Sequence, residues 1–185
     1  MCRKPLPKNA FRTCRIPVLL VLAAFQFSPA DAEESFTIAM NDGLITGMLP
    51  ESNTAFSIPV ADAEVATLNT GNRRIWVYGK QRLQAFQPDG SQLIDQYLPE
   101  LSAGDSATDL AIGFDSVWLA VGRNLYRFDE QGTLIKHSVF HNTIDSINFD
   151  SMKSQVLINT PRYVFVLDRN GHILKRIRTH LPNVA

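Results

Sequence analysis

The chain has 185 residues, with 18 Lys and Arg balancing 18 Asp and Glu, 45% hydrophobic residues and only two cysteines. That length supports one domain with a real core. The charge balance excludes the strongly basic face that nucleic-acid binders usually carry, so no nucleic-acid partner is expected.

Arg3, Lys4, Lys8, Arg12 and Arg15 precede an apolar run at 16–27, and Ala30-Asp31-Ala32 follows it. A basic start, a short apolar stretch and small residues at a cut site predict a signal peptide over 1–32, cleaved after Ala32. The run of twelve residues falls short of the roughly 20 needed to cross a bilayer core. Export to the periplasm or the outside follows, with no membrane attachment after cleavage. Cys2 and Cys14 both lie in the signal. The exported chain is therefore expected to lack a disulfide, a thiolate nucleophile and a cysteine-ligated metal. Removing the five basic residues and Asp31 leaves 13 Lys and Arg against 17 Asp and Glu, a net charge of −4.

Next comes an echo of a hairpin at 33–60. Phe36-Thr37-Ile38-Ala39-Met40 leads through Asn41-Asp42-Gly43 into Leu44-Ile45-Thr46-Gly47-Met48. It reads as a leading two-stranded half-blade, equivalent to the last two strands of the units that follow. A four-strand unit then recurs three times over 61–182. Its strands are expected at 64–68, 73–79, 82–87 and 92–98, then at 108–113, 117–121, 125–129 and 134–140. The third copy places them at 145–149, 155–159, 163–168 and 172–178. Apolar alternation marks the strands, while Asp89-Gly90, Gln131-Gly132 and Asn170-Gly171 mark turns that need positive φ. The repeat spacing is 42 positions from Gly90 to Gly132 and 39 from Gly132 to Gly171. Such a period, filled with short strands, is that of propeller blades. A Leu-Pro pair follows the echo (Leu49-Pro50), the first unit (Leu98-Pro99) and the third (Leu181-Pro182). Residues 183–185 form the C-terminal end. The fold class is therefore all-β, a partial β-propeller of three four-stranded blades with a leading half-blade.

Asp109-Leu110-Ala111-Ile112-Gly113-Phe114-Asp115-Ser116-Val117-Trp118-Leu119-Ala120, with Leu125-Tyr126-Arg127-Phe128-Asp129, resembles a blade of the streptogramin-lyase-like and NHL-like propellers. The resemblance covers about residues 61–180 and implies architecture. Those families include lyases, lactonases, sensors and adhesive modules, so no activity follows from it. The catalytic histidine and glutamate motif of streptogramin lyases has no clear counterpart. His137, His141, His172 and His180 all follow outer-strand or exit positions, and no catalytic residue is assigned.

Two sets of residues recur at equivalent positions. Trp76, Trp118 and Leu157 share one register of the second strand, where packing between blades is the expected role. Glu64, Asp109 and Asp145 each open an inner strand. Three such carboxylates would ring a channel mouth and could hold Ca²⁺ or Mg²⁺ through oxygen ligands. The preferred reading is structural, each carboxylate accepting backbone N–H bonds from the next blade. Basic residues gather around the first blade's hairpin (Arg73, Arg74, Lys80, Arg82) and on the last strand (Lys175, Arg176, Arg178), the latter as a charged edge.

The expected function is an exported, non-enzymatic interaction or scaffold module without a required cofactor, whose blade count also suits the N-terminal part of a larger propeller. It would bind a protein partner or self-associate through open blade edges. The alternative is a relative or fragment of a lyase- or lactonase-type propeller with a divalent cation at the channel mouth.

Overall fold

The computed structural model describes residues 38–49, 54–98 and 105–179; the expected signal peptide lies outside them. Among the described residues every regular element is a strand. The leading sheet holds β1 (Ile38–Asn41), β2 (Leu44–Leu49) and β3 (Thr54–Pro59) in that order. The first blade follows with β4 (Val65–Asn69), β5 (Arg74–Gly79), β6 (Arg82–Phe86) and β7 (Gln92–Tyr97). The second contains β8 (Ala107–Ile112), β9 (Val117–Val121), β10 (Asn124–Phe128) and β11 (Leu134–Val139). The third contains β12 (Ser146–Asp150), β13 (Gln155–Asn159), β14 (Tyr163–Asp168) and β15 (Ile173–Arg178). All neighbours are antiparallel and consecutive, so each sheet is a meander. Contacts between sheets join β4 to β8 and β8 to β12, which makes these the inner strands of successive blades. The chain is a partial β-propeller.

The same local devices recur in each blade. After every third strand a five-residue turn closes with a glycine at positive φ, namely Gly90, Gly132 and Gly171 at 86°, 84° and 78°. Each of these glycines donates its N–H to the carbonyl three residues back, of Gln87, Asp129 and Asp168, at 2.9–3.0 Å. A register shift sits at the same place in the third-to-fourth strand pairing, beside Phe86, Phe128 and Leu167. The fourth strand is then tied back to the second-to-third connection. Leu98, Phe140 and Thr179 donate to the carbonyls of Gln81, Arg123 and Arg162 at 2.7, 2.8 and 3.0 Å.

That last bond assigns the leading sheet. Val60 N–H donates to Gly43 O at 2.7 Å, so β3 stands where a fourth strand stands and β1-β2 are the second and third. The sheet therefore has three strands, where the sequence pattern marked two and placed them one position later. β3 was not read because a proline ends it and Leu49-Pro50 marked an exit from the element. Only Leu98 of the Leu-Pro pairs lies wholly among residues whose surroundings are described; Pro50, Pro99 and residues 181–182 fall outside them.

Three separate apolar layers fill the spaces between sheets. Ile45, Phe56 and Ile58 of the leading sheet meet Ile75, Val77 and Phe86 of the first blade. Trp76, Tyr78, Leu83 and Ala85 meet Val117, Leu119, Tyr126 and Phe128 across the next gap. Trp118, Ala120 and Leu125 meet Ile147, Val156, Ile158 and Phe165 across the third. Each second strand thus sends alternate side chains to opposite neighbours, which is why β5 and β9 are apolar throughout.

Candidate functional site

Glu64 sits half-buried just before β4. Its Oε2 accepts the Ala107 N–H of the second blade at 2.7 Å, and its Oε1 accepts the Lys80 N–H at 3.3 Å. Beside it the Tyr78 hydroxyl is pushed up to about 12, first by burial and then by the Glu64 charge. Asp109 repeats the arrangement one blade later. Its Oδ2 accepts the Ile147 N–H of the third blade at 2.6 Å and its Oδ1 the Leu110 N–H at 2.8 Å. Burial raises the Asp109 carboxyl above its ordinary value, while the two N–H donors pull the other way. A charged acceptor on a backbone N–H is a strong bond, and here each one spans two inner strands. Asp145 precedes β12 and is exposed; its N–H donates to Asn159 O at 2.8 Å, and no described residue bonds its carboxylate.

Glu64 and Asp109 are thus spent on successive blade junctions, each on a separate backbone donor. Among the described residues no three His, Cys, Asp or Glu side chains converge on a point where one ion could bind. A local irregularity precedes Asp109 in its inner strand. Ala107 pairs with Val121 and Asp109 with Ala120, so Thr108 is an extra residue beside it, and alternation with Ala111, which packs with Trp118, aims the carboxylate toward the third blade.

Trp76 and Trp118 are 0% and 1% exposed, whereas Leu157, in the same register, is half-buried. The two tryptophans differ in their polar edge. Trp118 Nε1–H donates to Gly113 O at 3.1 Å, and the Trp76 Nε1–H is buried with no acceptor. Around Trp118 lies a cluster that the sequence reading did not single out. Arg127 lies over its ring at 5.4 Å and donates from Nε to Ser116 Oγ at 3.0 Å. Phe149 of the third blade meets both Trp118 and Phe114 edge-on, at 6.4 and 5.8 Å between centroids. The clue available was register: Arg127 pairs with Trp118, and Lys136 with Arg127.

The basic residues of the first blade do not form one patch. Arg73 and Arg74 lie at one end of β5, beside a shallow groove with Asn72, Gln87 and Asp89. Arg74 Nη1 donates to Glu130 O of the second blade at 2.8 Å. Lys80 and Arg82 lie past the other end of β5, paired with Asp62 and Asp95 respectively. On β15, Lys175, Arg176 and Arg178 are exposed, and Arg176 covers the Tyr163 ring at 4.7 Å. Of the histidines, His137 is on β11, stacked on Tyr126 at 4.5 Å, and His172 pairs with Asp168 in an outer turn. His141 follows β11 and is exposed, while His180 lies outside the described residues.

No family model matches this chain, and no curated protein matches it. Solved propellers do. A virginiamycin B lyase from Staphylococcus aureus is 14% identical with a TM-score of 0.62, over 77% of this chain and 50% of that one. A streptogramin B lyase is 16% identical with a TM-score of 0.59, over the same 77% and 50%. Hydrazine synthase from Kuenenia stuttgartiensis is 10% identical with a TM-score of 0.64, over 79% and 46%. At these identities the likeness is one of fold. The chain spans about half the length of each.

Proposed function

We propose that this chain is an exported, non-enzymatic β-propeller module that works by binding protein surfaces. The observation that carries this reading is the use made of the inner-strand carboxylates. Glu64 and Asp109 are bonded to backbone N–H groups of the following blade, so they act as clasps that fix blade geometry. A carboxylate that must accept a structural N–H at 2.6–2.7 Å is a poor general base, because part of its acceptor capacity is engaged and its position is fixed between two blades. The blade-edge surfaces, by contrast, offer exposed strands such as β15 for protein contact. The chain would do this in the periplasm or outside the cell, after loss of residues 1–32.

The competing reading is a lyase-like enzyme, favoured by the shared fold with lyases that act on virginiamycin B or streptogramin B by their names. Incubation of the exported chain with a streptogramin B and Mg²⁺, followed by mass spectrometry, separates the two. We expect unchanged substrate. Turnover that is lost in Glu64→Gln or Asp109→Asn would overturn the module reading and establish the enzyme.

A further inference from the structure

Two devices recur at both filled blade junctions and a third joins the second blade to the third, and each has an unfilled copy on the far face of the third blade. The first is the inner-strand carboxylate: Glu64 and Asp109 each accept an N–H from the next sheet, whereas Asp145 has no described donor. The second is the apolar side chain on the second strand. Trp76 and Trp118 are buried against the next blade; Leu157 points the same way, opposite to Val156 and Ile158, and stays half-buried. The third lies on the fourth strand. Lys136 pairs across the sheet with Arg127, and its Nζ donates to Gly171 O in the next blade's turn at 2.8 Å. Lys175 holds the same register opposite Val166 and is exposed. The open face is therefore an interface of known type, continuous with two that are filled in the same molecule.

The leading sheet presents the complement. Ile45, Phe56 and Ile58 face the first blade, so strand alternation turns Leu44 and Met48 outward, at 40% and 49% exposure. Among the described residues β1 pairs only with β2 and so forms the edge of the leading sheet. The geometry points to a second copy of this chain as the occupant: the leading sheet of one copy stacks on the third blade of the other, head to tail. Two copies supply eight sheets, within the 4–8 blades that propeller rings hold. They also match in length the solved propellers, of which one copy spans 50%. A head-to-tail contact made twice closes into a ring, so association stops at two.

This inference rests on the interaction-module reading and names its partner. Size-exclusion chromatography with light scattering, on the chain recovered from an exporting host, tests it at about 10–50 µM. The mass of a dimer is expected. Leu157→Asp and Met48→Asp, on the two opposed sheets, should each weaken the dimer at least tenfold, while Met152→Asp on an exposed loop should not. Fluorescence of Trp76 and Trp118, which lie in other layers, reports whether each variant is folded. A monomeric chain would overturn the inference, as would a dimer or larger species indifferent to both substitutions. A monomer that binds a separate protein would leave the module reading intact, whereas streptogramin turnover by a dimer would reject that reading alone.

Discussion

Trp76 and Trp118 occupy one register but have different chemistry at the ring edge, and this difference can be measured. Replacing either by Ala removes a fully buried indole and should cost about 3–5 kcal/mol in chemical denaturation. Replacement by Phe should separate them. Trp118→Phe loses a bond to Gly113 O, worth about 1 kcal/mol net, while Trp76→Phe removes an N–H that is buried without an acceptor. Trp118→Phe is therefore the more damaging of the two; the reverse order would remove the distinction. Asp109 gives a second test through pH. Its folded pKa lies above the ordinary 3.8, so just above 3.8 the folded chain keeps a proton that the unfolded chain has released. Stability carried by this group falls as pH rises through that window and is flat above it. Asp168 has the opposite sign, because the His172 N–H leads the bonds that hold its carboxyl below 3.8. Its contribution is complete above 3.8 and is lost as pH falls through the depressed value. Asp109→Asn should abolish the first slope and keep an oxygen for the Ile147 N–H. Asp109→Ala should instead cost about 1–3 kcal/mol by leaving that donor unpaired. Burial of Trp76 and Trp118 could be read from the repeat, but the missing acceptor at Trp76 could not, since it depends on what the neighbouring blade brings to the ring edge.

The turns show how far each element was legible. Asp89-Gly90, Gln131-Gly132 and Asn170-Gly171 announce themselves because glycine supplies positive φ at no steric cost. The first hairpin of the second blade is placed instead by its flanking strands, expected at 108–113 and 117–121, and its two turn residues, Phe114 and Asp115, take φ 55° and 53° without a glycine. Such a turn favours Asn-Gly, and a bulky residue there is strained. Packing of Phe114 against Phe149 offsets the cost. Asp115 is exposed, so Asp115→Gly should raise stability by about 0.5–1 kcal/mol by relieving the backbone. Gly113 answers to a different constraint. A Cβ there would lie 2.5 Å from the Phe149 ring, so Gly113→Ala must push the third blade's aromatic aside. We expect a loss of about 1–3 kcal/mol by thermal or chemical denaturation; a neutral result would place Phe149 elsewhere. β3 was missed for a related reason. Thr54-Ala55-Phe56-Ser57-Ile58-Pro59 alternates well, yet it ends on a proline and follows Leu49-Pro50, and the Val60–Gly43 bond reveals it as a fourth strand.

Across the molecule, period and alternation were enough to specify blades, because every blade repeats the same exit bond and glycine turn. The carboxylate clasps were legible as positions near the starts of inner strands, Glu64 just before β4 and Asp109 within the first half of β8, but their donors lie 43 and 38 residues away. The extra residue at Thr108 also shifts the second blade by one position relative to the first, which no repeat alignment displays. Processing belongs to this scale too. Mass spectrometry of protein from an exporting host should find a mature chain that begins at Glu33, and an intact chain in the membrane fraction would reject cleavage.

The three apolar layers share no residue, although β5 and β9 each contribute to two of them. Communication along the chain is therefore nearest-neighbour, as in a one-dimensional lattice. Trp76 and Trp118, one repeat apart, belong to different couplings of that lattice, so the double Ala variant should lose the sum of the single losses within about 0.5 kcal/mol. In a chain kept single by Leu157→Asp, opening should begin at the outermost sheets and travel inward, giving amide hydrogens of β9 the slowest exchange and those of β1 and β15 the fastest.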